Sequence, residues 1–501
     1  MRNAHATTAV RAAEQALMAR LPGGALMSRA AAGLASVCAG LLGQVYGSRV
    51  AILAGSGDNG GDALYAGALL ARRGAVVTAL AASDRLHEAG AAALRAAGGR
   101  VLAGAGSGAA GGTAALSQAD LIIDGLLGIG GRGGLREPAA GLAGRTEQAR
   151  RDGAIVVAVD LPSGVDAGTG VVAGPAIQAD VTVTFGTWKP GLLIDPGASR
   201  AGAVELIDIG LGPDLGPPAV SSLQAADVAA LLPQPAAESD KYRRGVLGLL
   251  AGSAQYTGAA VLATGSAIHG GAGMVRLVSA EAARTAARQH WPEAVVAATE
   301  DAPPEQVISG AGRVQAWAAG PGMGTGDDAA GLLAAVLATS LPVLVDADGI
   351  TLLARHPGLL PRPAPTLITP HAGELSRLTG ADRDAIEARR LEHVRAAAAE
   401  LGITVLLKGS TTVIASPEDD VPVLVNSTGT AWLATAGSGD VLSGLAGALL
   451  AQGLPPAQAA AAAAYLHGVA GRLAADDAPI GAGDLITALP AAIRSVTRSQ
   501  P

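Results

Sequence analysis

The residues most suited to chemistry lie in Ala436-Gly-Ser-Gly-Asp440-Val-Leu-Ser-Gly444. Gly437, Ser438 and Gly439 can free a run of backbone N–H groups, and residues 441–450 read as a helix that opens there. A helix N-terminus carries about half a positive charge and several unpaired donors, so it suits a phosphate. A carboxylate held at that point can act as general base on a hydroxyl facing the phosphate. The plain alternative is that Asp440 only caps the helix. Its company decides between the two.

Four further loops in the same half each follow a strand-like run. They are Gly320-Pro-Gly322-Met-Gly-Thr-Gly326, Asp346-Ala-Asp348-Gly, Thr369-Pro-His371-Ala-Gly-Glu374, and Lys408-Gly409-Ser410-Thr411-Thr412, which turns a hairpin. Taken singly, a histidine is a structural residue and a lysine a solvated charge. At successive strand ends they read as one site. No G-x-x-x-x-G-K occurs, which excludes a P-loop NTPase as a motif match.

The first half offers a second group. The apolar run Val50-Ala-Ile-Leu-Ala54 leads into Gly55-Ser-Gly-Asp58-Asn59-Gly60-Gly61-Asp62. The glycine spacing fits a dinucleotide fingerprint, but Asp58 and Asp62 would repel a pyrophosphate and suit a cation or ribose hydroxyls better. Leu121-Ile-Ile-Asp124 is followed by a glycine-rich block that includes Gly128-Ile129-Gly130-Gly131-Arg132-Gly133-Gly134. The strand at 155–159 ends in Asp160-Leu-Pro-Ser163. Three strand ends therefore present Asn59, Asp124, Asp160 and Ser163 on one edge.

The elements that must hold these loops alternate strand and helix throughout, which argues two α/β layer folds. With 501 residues the chain is long enough for two or three domains. The Pro/Gly-rich Leu211-Gly-Pro-Asp-Leu-Gly-Pro-Pro218 places a boundary between about 212 and 224. The composition has 71 glycines, 15% charged and 2% aromatic residues, as tight-turned α/β proteins do. A net charge of −7 gives no footprint for nucleic acid. The lone Cys38 leaves no internal disulfide. Arg11, Glu14 and Arg20 interrupt any signal-like N-terminus, and 30–48 is weakly apolar, so no membrane and a cytoplasmic location are expected.

The first-half motifs, with Phe185-Gly-Thr-Trp-Lys189-Pro-Gly, resemble the NAD(P)H-hydrate epimerase domain. The resemblance implies a Rossmann-like three-layer domain over 1–215. It also implies a potassium ion on Asn59, Asp124 and Ser163, substrate contacts from 58–62, 128–134 and Asp160, and proton transfer by Asp160. An oxygen-only donor set of this kind favours a hard cation. Asp58 stands where that family usually has asparagine, and Ser28 where it usually has glutamate.

The second half, roughly 241–473, resembles the ADP- or ATP-dependent NAD(P)H-hydrate dehydratases of the ribokinase-like superfamily. It carries Gly252-Ser, Tyr256-Thr-Gly-Ala259, Asn426 and the loops above. By resemblance, 225–501 is the dehydratase domain, with Asp440 as base and Ala259, Gly322 and His371 beside the hydrated nucleotide. Lys408, Gly409, Ser410, Thr411, Thr412 and Gly439 then contact the adenine nucleotide. The implied protein is a bifunctional repair enzyme using ADP, with magnesium, and forming a homo-oligomer. Two readings compete with it: a ribokinase-type small-molecule kinase, and a non-enzymatic nucleotide-binding protein.

Overall fold

The computed structural model describes residues 1–83, 85–102, 110–300 and 302–498. The chain divides into two compact units, Asn3–Val220 and Ser221–Pro501, the second joined by Met1–Arg2. After a short strand β1 (Arg2–Ala4) come β2 (Arg49–Ala54), β3 (Val76–Ala81), β4 (Arg100–Leu102), β5 (Leu121–Gly125), β6 (Ile155–Val159), β7 (Val181–Phe185) and β8 (Ala203–Ile207).

The first unit's sheet has seven strands in the order β4-β3-β2-β5-β6-β7-β8. All of its neighbouring strands are parallel. Runs such as Ile-Val-Val-Ala-Val are apolar at every position because helices cover both faces of such a sheet. The strand order reverses between β2 and β5, which opens a crevice at their carboxyl ends. Helix Ala25–Leu42 is long and apolar enough to cross a membrane by length and composition. Its Ala30, Leu34, Ala35 and Cys38 are instead packed in the core of this unit, and burial pushes the Cys38 thiol up to about 12.

Strand β9 (Val220–Ser222) spans the division between the units. The second unit then provides β10 (Val246–Leu250), β11 (Met274–Ser279), β12 (Val295–Ala298), β13 (Ala316–Ala319), β14 (Val343–Val345), β15 (Thr366–Ile368), β16 (Thr404–Leu407), β17 (Thr412–Ala415) and β18 (Val423–Asn426). From β18 the order is β18-β17-β16-β15-β14-β13-β10-β11-β12. The β16–β17 and β17–β18 pairs are antiparallel and the rest of this run is parallel. Here the reversal lies between β10 and β13.

Strands β1, β4, β9, β12 and β18 have no counterpart among the strand-like runs of the sequence. They are three or four residues long, too short for a period to declare itself. The helix after Gly437 also starts three residues earlier than its apolar run, at Ser438, and continues to Ala451. Every residue from Val441 to Ala451 is buried, as expected of a helix that is apolar all round.

Candidate functional sites

In the second unit, Gly437 has φ +86°, a conformation that only glycine adopts without strain, and it lets the chain turn directly into the helix. Asp440 is thereby the third helical residue and does not cap the helix. Among the described residues its carboxylate accepts no hydrogen bond. Burial above all, then the charges of Asp346 and Asp348, push its pKa up to about 7 against the opposing pull of Lys408.

Lys408 gathers the neighbouring strand ends. Its ammonium donates to Asp346 Oδ1 at 2.8 Å and lies 3.8 Å from Glu374. It also lies 3.5 Å from where a Cβ on Gly439 would stand. Burial alone would depress Lys408, but the Asp346 and Glu374 carboxylates outweigh it and raise its pKa. Asp346 is fully engaged, since Ser443 donates to its Oδ2 at 2.6 Å from the second turn of the Asp440 helix. Asp348 Oδ2 accepts the Gly324 N–H at 2.9 Å, which fixes the glycine loop after β13.

His371 is the N-cap of helix Ala372–Thr379, its Nδ1 accepting from the Gly373 and Glu374 N–H groups at 3.0 and 3.2 Å. Its pKa is lowered, chiefly by burial. Gly322 and Ala259 come together, the Cβ position of one standing 2.8 Å from the Cβ of the other. A cavity of about 520 Å³ is lined by Lys408, Gly409, Ser410 and Thr412 on one side and Ser438, Gly439 and His467 on another. Thr411 does not line it, because it is buried and its carbonyl accepts from Arg390 at 3.0 Å.

His467 was not legible in the sequence. It lies in the alanine-rich helix Pro456–Ala475, and its Nε2–H donates to the Ser438 carbonyl at 2.9 Å. Burial depresses its pKa to about 4, so it remains a neutral prop under the first turn.

In the first unit, β2, β5, β6 and β7 are neighbours, and their carboxyl ends bring the second group together. Asn59 Nδ2 donates to the Leu127 and Val159 carbonyls at 3.0 and 2.6 Å, so its amide oxygen points elsewhere. A Cβ on Gly128 would stand 2.5 Å from that oxygen, which is why glycine is needed there. Asp124 is fully buried and accepts from the Ser163 hydroxyl at 2.7 Å and the Ser163 N–H at 2.8 Å. Burial pushes Asp124 up to about 6 in spite of these bonds.

Asp160 has φ +65° and is nearly buried. Its Oδ1 accepts from Thr184 Oγ1 at 3.1 Å and from the buried ammonium of Lys189. Lys189 is held in turn by Thr184 Oγ1 and the Phe185 carbonyl, each at 3.0 Å. The Asp160–Lys189 pair bridges adjacent strands. Asp58 opens helix Asp58–Arg72 and is exposed, whereas Gly60, Gly61 and Asp62 are buried beneath it. Ile129 packs against Leu161 and Val165, while Arg132 is exposed in the same loop.

Residues 247–493 match a family model described as NAD(P)H-hydrate dehydratase, and 23–191 match one described as YjeF-related protein N-terminus. The bifunctional NAD(P)H-hydrate repair enzyme Nnr of Mycobacterium leprae is 49% identical over 493 residues, covering 97% of each chain. The chain belongs to this family. A repair enzyme of the same name from Moorella thermoacetica is 36% identical, with 91% of this chain and 89% of that one covered. The ADP/ATP-dependent NAD(P)H-hydrate dehydratase of Bacillus subtilis, co-crystallised with ATP/Mg2+, is 31% identical with a TM-score of 0.50. It covers 55% of this chain and 99% of its own. The repair family thus accounts for both units, and the competing reading of a kinase with an idle first half falls away.

Proposed function

We propose that residues 225–501 dehydrate the S form of hydrated NADH or NADPH at the expense of ADP, yielding AMP and phosphate, while residues 1–215 interconvert the R and S forms. The observation that carries the first assignment is the Asp440 carboxylate in the first turn of a buried helix, where among the described residues it accepts no hydrogen bond. A base with a pKa near 7 is well matched to neutral pH. Asp440 takes the proton of the ring hydroxyl, and the helix start and Lys408 stabilise the phosphoryl group as it transfers. Phosphate then leaves and the ring double bond reforms. Asp346 and Glu374 are the carboxylates near this site that would hold a magnesium ion brought with the nucleotide, which would supply neutralisation of its phosphate charge. Incubation with hydrated NADH, ADP and magnesium should regenerate NADH absorbance. A stable phosphorylated product and no NADH would refute the assignment.

In the first unit a monovalent cation fits Asn59, Asp124 and Ser163. Asp124 is a buried carboxylate, and among the described residues it makes no ion pair with a cationic side chain. Among the described residues the Asn59 amide oxygen accepts no hydrogen bond, its amide nitrogen being the group that donates to Leu127 and Val159. Asn59, Asp124 and Ser163 would hold a potassium ion, which would supply positive charge to the loop carboxylates and the substrate's phosphates. Asp160, held by Lys189, remains for proton transfer. Epimer interconversion without ADP should proceed in potassium buffer and fail in choline buffer; equal rates would refute the cation role. We place the protein in the cytoplasm, where reduced nicotinamide nucleotides are used.

A further inference from the structure

Resting on the epimerase reading of the first unit, we propose that Asp62 is the general acid of that reaction and works as the partner of Asp160, the base. Asp62 sits one turn after Asp58 in helix Asp58–Arg72, on the same face. It is only 8% exposed, and its Oδ1 is sealed from solvent with no hydrogen-bond partner among the described residues. An ionised carboxylate there would leave half its charge unsolvated, so the neutral acid is the form the packing accepts.

The charged groups around it point the same way. The negative charges of Asp160, in the loop after β6, of Asp58 on its own helix and of Glu14 on helix Thr7–Met18 all act on it. His87 caps the following helix, its ring 3.0 Å from the Cβ position of Gly61. The nearby cations are Lys189, which is bound to Asp160, and Arg11, which lies beside Glu14. Burial first, then the three carboxylates, push Asp62 well above the usual carboxylate range. Glu14 is also raised, chiefly by burial. One aspartate is thus ion-paired with a buried lysine and its neighbour is kept as an acid, and such separated environments divide the two halves of acid–base catalysis.

The chemistry needs both halves. Hydration of the dihydropyridine enamine places the hydroxyl on the carbon beside the ring nitrogen, so the epimeric carbon is a hemiaminal. Asp160 removes the hydroxyl proton, and the O–H electron pair becomes the second C–O bond. The carbon–nitrogen bond breaks toward nitrogen, which takes the proton of Asp62. The open aldehyde rotates about its carbon–carbon bond and presents its other face. Nitrogen returns its proton to Asp62 as it re-adds, and oxygen recovers the proton held by Asp160. Nothing is consumed, and both aspartates end as they began.

Asp62→Asn in the full chain keeps the shape and removes the transferable proton. Expected is a fall of about 10²–10⁴-fold in kcat for R-to-S conversion, with KM within a few-fold. The alkaline fall of wild-type kcat/KM, where Asp62 ionises, should vanish in the variant. A second measurement is independent of turnover. A carboxyl with a raised folded pKa binds its proton in the folded state and loses it on unfolding, so it lowers stability as pH rises past the ordinary aspartate value. Asp62→Asn should therefore raise the Tm of the first unit at pH 8 more than at pH 5. Unchanged kcat and pH profile overturn the proposal, as does a Tm difference independent of pH. A wild-type chain that fails to interconvert the epimers overturns the epimerase reading instead, and the Tm comparison still tests the buried acid.

Discussion

In the first unit the lysine at the sheet edge, Lys189, is paired with the aspartate assigned to proton transfer. In the second, Lys408 is paired with Asp346, and among the described residues the aspartate assigned to proton transfer has no partner. The first site opens where the strand order reverses, β2 against β5, whereas Asp346, Glu374 and Lys408 of the second follow the adjacent strands β14, β15 and β16. The difference follows from the charge each site must meet. Phosphoryl transfer brings extra negative charge, so Lys408 is held at the rim by Asp346 and Glu374 and remains near Gly439. Epimerisation leaves no net charge behind, so Lys189 can be buried completely on Asp160. A lysine–aspartate pair alone therefore does not reveal which carboxylate is the base.

The largest expected effect that tests this contrast is on Asp440. Asp440→Asn should lower dehydration about 10²–10⁴-fold and leave nucleotide binding within a few-fold. Dehydration within a few-fold of wild type would mean the base is elsewhere, and the engaged Asp346 would become the candidate.

Next come the two lysines. Lys189→Met leaves a buried carboxylate unpaired and should destabilise the first unit by about 3–5 kcal/mol. Lys408 is 21% exposed against 1% for Lys189, and Asp346 keeps its Ser443 bond. Lys408→Met should accordingly cost the second unit only about 1–3 kcal/mol. Calorimetric unfolding of the full chain measures both, and equal losses would erase the distinction.

The smallest effect is a shift of pH profile. Dehydration should rise with pH through about 7 as Asp440 loses its proton. The charge of Asp346 raises Asp440, so Asp346→Asn should move that limb to lower pH, a change of several-fold at pH 6. A limb that stays in place would separate the two carboxylates electrostatically.

The loops that carry both sites were legible because their cues are local. Glycine before Asp440, an acid at the end of an apolar strand in Asp124 and Asp160, and Lys408 in a hairpin turn each depend on a few adjacent residues. The apolar strand runs likewise marked most strands of both sheets. Partners far along the chain were not legible. Ser443 to Asp346, His467 to the Ser438 carbonyl and Glu14 near Asp62 each join elements whose adjacency depends on packing.

By itself the sequence determined which residue types stand at which strand ends, since apolar runs and glycine turns are short-range properties of the chain. It also determined the family through those loops. Only the tertiary structure decided which carboxylates are paired, which are sealed and which are left free. Strand order and helix packing set those distances, and burial sets the cost of charge. Asp62, in the helix that follows β2, and Asp160, just after β6, are the same residue type, and sequence spacing does not tell them apart. A buried lysine pairs with one, while burial and then three neighbouring carboxylates raise the pKa of the other.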